Sequence, residues 1–283
     1  KIKFPFFVKW FIRIMDAQAE LDKRAPHLHY IAHWGIAESL QYPLLLSSIR
    51  YEDSEQDILK KIDFVARYIE TFTVRRAVNF RKFSQASIKY TMFTLIKKIR
   101  AENLNALGSI LAEEVAELPE AWTAIYDFVL HGMNKNFVKH LLCRISSYID
   151  CLAGKDTTYV TYHHPNGKQF EIEHIWADVY DEHKDEFNQH DDFKEWRNSI
   201  GALILLPNGT NQSFNSDKYE DKLAHYLKEN TYAQSLHPFF YERNPNFLKS
   251  DTISSLGFKA HSHFKKADIE DRIALVQKIC EQI

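Results

Sequence analysis

Gln169-Phe170-Glu171-Ile172-Glu173-His174 alternates polar and apolar side chains. A period of two is the signature of a half-buried strand. Upstream, Thr157-Thr158-Tyr159-Val160-Thr161-Tyr162 is β-branched and aromatic, and Pro165-Asn166-Gly167 separates the two runs. Strand, Asn-Gly turn and strand together predict a β-hairpin. Downstream, Asp178 to Glu195 is rich in Asp, Glu, His and Lys and predicts a helix and loop. Ile200 to Leu206 is a short apolar run closed by Pro207-Asn208-Gly209, a strand that ends in a turn. Asp217 to Glu229 predicts a helix, as does Asp268 to Ile283, with Ile269, Ile273, Val276 and Cys280 on one face.

The residues before this region carry a different period. Phe7, Phe11, Ile14 and Met15 recur at helical spacing, as do Ile58, Ile62, Val65, Ala66 and Ile69. So do Ile88, Met92, Leu95, Ile96 and Ile99, and then Phe137, Leu141, Ile145 and Ile149. Such stripes normally bury that face in a core. Ser84 and Asn103 suit helix N-caps, and Pro119 suits a first helical turn. The pattern changes at Ala153-Gly154-Lys155, which divides the chain into a helical domain, 1–152, and a mixed domain, 153–283. The fold class is α+β and predominantly α-helical, consistent with only 8 Gly and 8 Pro in 283 residues. Arg75-Arg76, past the stripe ending near Phe72, reads as a solvated helix end or as a phosphate or interdomain contact.

Composition excludes several classes. Three cysteines with no C-x-x-C argue against a disulfide framework and a thiolate zinc site, and fit a reducing cytosol. The run Phe4 to Ile14 is broken by Lys9 and Arg13 and is too short to span a bilayer, so a cytoplasmic protein with no membrane partner is expected. A net charge of −2 lacks the strongly basic balance of tight non-specific DNA binders. There is no P-loop and no dinucleotide G-x-G-x-x-G. The chain opens on Lys1 rather than Met, and a piece of a longer protein is expected.

Glu173-His174, answered later by Asn211, is a compact set for phosphodiester hydrolysis. An imidazole near neutral pKa can take a proton from water. A divalent ion held by one or two oxygen ligands and the substrate phosphate can neutralise developing charge. Strand alternation, however, points Glu173 and His174 to opposite faces, so a strand end or twist is needed for them to share a site.

The stretch Phe170 to Ile175, then Ile200-Gly201-Ala202-Leu203-Ile204-Leu205-Leu206, then Asn211, resembles the HNH (His-Me finger) nucleases. It looks most like the nuclease half of GmrSD-type modification-dependent restriction enzymes, which read E-H-I-x-P, then G-N-L-x-L-L, an Asn, S-N and K-x-x-x-Y. Phe214-Asn215 stands at the S-N, Lys222 and Tyr226 match K-x-x-x-Y, and Asn211 lies nine positions past Ala202. Ile269 to Arg272 with Leu275 is similar to the closing helix. The resemblance implies a ββα-metal finger with surrounding helices. In it His174 is the general base and catalytic with Asn211, while Glu173 and Asn211 ligate Mg²⁺ or Mn²⁺. Asn215, Lys218 and Lys222 are expected to contact DNA phosphates.

The resemblance also implies an effector part of a prokaryotic restriction or phage-defence endonuclease acting on DNA. An N-terminal nucleotide-hydrolysing or sensor domain of the same protein is the implied partner. Two positions depart from the pattern: Ala202 replaces the central Asn that braces the loop and orients the histidine, and Ala177 replaces the Pro. Zinc-binding cysteine pairs are absent, which leaves packing to hold the finger. The alternatives are a catalytically degenerate module that binds DNA or a partner, and an RNA-directed nuclease.

Overall fold

The computed structural model describes residues 3–163, 169–209 and 217–283. They form two compact units, Lys1–Ala121 and Trp122–Ile283. The break falls ahead of the helix at 135–152 rather than behind it, where the change in composition had set the boundary. That helix packs on elements of the second unit.

The first unit is built from α1 (Lys3–Ala19), α2 (Pro26–His33), α3 (Glu38–Ser47), α4 (Glu55–Val78), α5 (Gln85–Ile99) and α6 (Leu104–Ala116). The expected stripes of α4 and α5 face one core with Leu40, Leu44 and Leu107. On α1, Ile14 of the expected stripe is buried together with Trp10 and Ala17, Phe7 packs partly buried against the same core, and Met15 is exposed. The N-caps of α4 and α6 are made by side chains, Ser54 accepting from Asp57 N at 3.1 Å and Asn103 from Ala106 N at 2.9 Å. Ser84 holds the cap position of α5 without a side-chain cap bond. Pro119 precedes a 3-10 turn at Trp122–Asp127.

Arg75 is neither solvated nor offered to a phosphate. It is buried, and its guanidinium donates to the carbonyls of Val115 (2.8 Å), Leu118 (2.9 Å) and Glu120 (2.6 Å). These lie at and beyond the end of α6, where helix carbonyls lack intrahelical partners. Arg76 pairs with Glu120 at 2.7 Å.

The second unit contains α7 (Lys135–Leu152), α8 (Tyr159–Tyr162), β1 (Phe170–His174), α9 (His190–Asn198), β2 (Leu203–Pro207) and α10 (Tyr219–Tyr226). It continues with α11 (Thr231–Gln234), α12 (Pro238–Arg243), α13 (Asp251–Leu256) and α14 (Lys266–Gln282). The hairpin expected between Thr157–Tyr162 and Gln169–His174 is not formed. Tyr159–Tyr162 is a helical turn, and β1 pairs antiparallel with β2. Tyr159 and Tyr162 are both buried, which a turn of helix allows and an alternating strand does not. The strand expected at Ile200 begins three residues later, after a 3-10 turn over Ile200–Ala202.

Asp150 on α7 explains the helical turn. Its buried carboxylate accepts from Thr157 Oγ1 at 2.9 Å, Thr231 N at 2.9 Å, and the hydroxyls of Tyr162 and Thr231. Burial alone would raise this carboxyl, but the hydrogen bonds from Thr231 and Tyr162 outweigh it and hold the group below the ordinary aspartate value. Removing it leaves several buried donors unmatched, so Asp150→Ala should destabilise the unit by about 3 kcal/mol at pH 7. A depressed folded-state value means the pH-dependent part of this stability is present above about pH 3.9 and lost as pH falls through the lowered value. Urea titrations should therefore show the gap between variant and wild type narrowing in strong acid. A gap of equal size at every pH would count against an ionised Asp150.

Candidate active site

β1 delivers the two residues of interest, with Glu173 opposite Ile204 and His174 opposite Leu203. Every residue of β2 is buried, so β1 is backed by a dry strand. Ile175 N donates to Ala202 O at 2.9 Å and fixes the exit of the chain just past His174. The turn into β2 is clamped by α14. A side chain at Gly201 would lie 2.5 Å from Ile269 O and 2.9 Å from Ile273 N, so only glycine permits this approach. Arg272, itself buried, donates from Nε to Gly201 O at 2.9 Å. An aromatic cluster secures the loop after His174. Trp176 stacks with Phe193, meets His183 at 4.3 Å, and donates from Nε1 to Phe264 O at 2.7 Å.

Glu173 points inward. Its Oε1 accepts from Lys222 Nζ of α10 at 2.7 Å, and the same ammonium donates to the backbone carbonyl of His174 at 3.0 Å. Glu173 and Lys222 are 5% and 2% exposed, so this is an interior ion pair. Burial pushes the Glu173 carboxyl above its ordinary value, and Lys222 and Arg197 oppose that rise without cancelling it.

The His174 ring lies on the other face, partly buried, as alternation requires. Its Nε2 donates to Asn198 Oδ1 at 2.9 Å. Burial first, and then the positive charge of Arg197, push its pKa down to about 4; the Asn198 bond and Asp178 act in the opposite direction. At neutral pH the ring is therefore uncharged, with its proton on Nε2 and a lone pair on Nδ1. That is the form in which an imidazole accepts a proton. Arg197 is held by its Nε bond to Trp176 O at 3.1 Å.

The sequence-derived set is thus distributed unevenly. Glu173 and His174 share a strand end, and Lys222 joins them. Its ammonium faces the interior rather than solvent, where a phosphate would be met. Lys218 is exposed and pairs with Glu182 at 3.1 Å, a surface contact worth about 0–1 kcal/mol. Asn211 and Asn215 lie outside the described residues. Among the described residues no group of three or more His, Cys, Asp or Glu could hold a metal ion. Glu173 Oε1 is also already neutralised by Lys222, so the described donors do not by themselves compose a divalent-cation site. Arg197 and Asn198 were missed in the sequence. The one signal for them was a polar pair closing an acidic helix just before Ser199-Ile200-Gly201.

Together these observations place a neutral histidine, held by Asn198, at the end of β1 in an α-rich α+β domain. The family comparison gives that class a home: the model described as "GmrSD restriction endonucleases, C-terminal domain" matches residues 123–275. The match covers more than half of the 283 residues and begins where the second unit begins, and the chain belongs to this family. Membership implies a nuclease of the restriction-endonuclease type, with DNA as its substrate. No curated protein and no solved structure matches the chain. No helix among the described residues is long and apolar enough to cross a membrane.

Proposed function

We propose that the second unit is an HNH-type DNA endonuclease of a prokaryotic restriction or phage-defence system, in which His174 activates the water that attacks a phosphodiester. The observation that carries this reading is the His174 ring, neutral by virtue of its surroundings and held by Asn198 with Nδ1 as the acceptor. His174 Nδ1 takes the proton of the attacking water, and Asn198 keeps the ring in register as it does so. Arg197 lends positive potential to this face, which suits an anionic phosphate. Lys222 holds the strand end by gripping Glu173 and the His174 carbonyl. Mg²⁺ or Mn²⁺ is the proposed cofactor, supplying charge neutralisation at the phosphate when bound; Glu173, held by Lys222 on the face opposite the His174 ring, does not fit the donor role the resemblance implied for it, and Asn211 stays as the proposed protein donor. Asn215 and Lys218 are the proposed backbone contacts. An upstream nucleotide-hydrolysing or sensor domain is the proposed partner, and the cytoplasm the proposed location.

Supercoiled plasmid incubated with the protein and Mg²⁺ or Mn²⁺ should be nicked or linearised, and excess EDTA should stop the reaction. RNA of matched length should remain intact. The Glu173–Lys222 pair favours a second reading, a degenerate finger that binds DNA without cutting it. Saturable DNA binding with no cleavage under any divalent ion would select that reading.

A further inference from the structure

We infer that Asn198 is the positioning residue of this site: its side-chain oxygen selects the tautomer and fixes the rotation of the His174 ring. The inference rests on the reading of His174 as the base. An amide oxygen accepts hydrogen bonds and does not donate them. At 2.9 Å from Nε2 it therefore requires the proton to sit there, leaving the lone pair on Nδ1. Turning the ring over would break this bond.

The oxygen is presented by a backbone that is itself pinned. Asn198 is the last residue of α9, and its carbonyl accepts from Leu130 N at 2.7 Å. Ser199 forms an antiparallel bridge with Val129, and Ser199 Oγ donates to Trp196 O at 2.8 Å. On the other side Arg197 is fastened to Trp176 O at 3.1 Å. Three consecutive residues are thus anchored to two other segments, and among the described residues the Asn198 side chain has the histidine as its hydrogen-bond partner.

The alternative support is missing. At Ala202 there is only a methyl group, and its contribution near the histidine is the backbone carbonyl that receives Ile175 N. In this chain, orientation of the ring falls to a residue 24 positions from the histidine, at the C-terminal end of α9.

The test uses the full chain, without added metal for spectroscopy and with Mg²⁺ for cleavage. In wild type, the His174 Nε2 proton should be visible by NMR, slow to exchange, and coupled to a neutral ring. Asn198→Leu should lose that signal, and plasmid cleavage should fall about 10- to 100-fold with DNA affinity unchanged. Asn198→Asp, which restores an acceptor of the same shape, should recover the signal and part of the lost rate.

A wild-type ring protonated on Nδ1 overturns the inference without any variant. So does an Asn198→Leu protein that keeps the protected Nε2 proton or cuts like wild type. If Asn198→Leu does not fold, the wild-type tautomer and the Asn198→Asp spectrum still decide. If no protein cuts but the Nε2 proton follows residue 198 as described, positioning stands and the nuclease reading falls.

Discussion

Lys222→Met will destabilise the unit Trp122–Ile283 by about 3–5 kcal/mol at neutral pH, the cost of leaving a buried charge without its partner. Methionine fills most of the lysine stem's volume, so the loss comes mainly from the ammonium. Glu173 would remain 5% exposed with no counter-charge on Oε1, and the His174 carbonyl would lose a donor. The penalty has a pH signature. Burial already raises the Glu173 carboxyl, and Lys222 is one of the two charges that restrain the rise. Without it the folded-state value climbs further from the unfolded value of about 4.3. A group raised on folding favours the folded state when protonated, so the variant regains stability as pH falls and loses it as pH rises. Urea unfolding at pH 5 and pH 8 should show a markedly larger deficit at the higher pH. Glu173→Leu/Lys222→Met should be much more stable than the sum of the two single losses, because neither charge is left alone. Additive losses in that double-variant cycle would show that the two residues do not act as a pair.

The parts of this molecule that could be read from the chain are those written in local periods. The stripes on α4, α5 and α7 recur every three or four residues and are buried as expected. β1 is legible from its period of two, and β2 from an unbroken apolar run closed by Pro207-Asn208-Gly209. The segment Thr157–Tyr162 misled because its β-branched and aromatic composition favours a strand. A distant carboxylate, Asp150, gathers its hydroxyls into a turn of helix, and tertiary hydrogen bonds override local propensity. The site divides along the same line. Glu173 and His174 are adjacent and were visible as a motif. The Glu173–Lys222 pair spans 49 residues and the His174–Asn198 bond 24, and nothing local announces either. Strand alternation did foretell that Glu173 and His174 would face opposite ways. Lys222 tethers the Glu173 side to the main chain of His174, a link that sequence does not show.

His174→Ala should lower plasmid cleavage about 10²- to 10⁴-fold, the range that a positioned general base contributes. Because an alanine at the edge of β1 leaves the Glu173–Lys222 pair in place, folding and DNA affinity should be close to wild type. The stronger test is the pH dependence. A base works in its deprotonated form, and the free site holds His174 down to about 4. The acid limb of kcat/KM should therefore lie near pH 4, well below that of an ordinary histidine at about 6.5. Its main causes are burial and the positive charge of Arg197. Bound DNA opposes the second of these, because a phosphate beside Arg197 supplies negative charge that favours the imidazolium. The acid limb of kcat, which reports the enzyme–substrate complex, should then fall at higher pH than that of kcat/KM. Such a shift lets the same ring be an uncharged acceptor before substrate arrives and a stronger base once it is bound. Equal cutting by His174→Ala and wild type, or an acid limb that survives in His174→Ala, would remove His174 from the reaction.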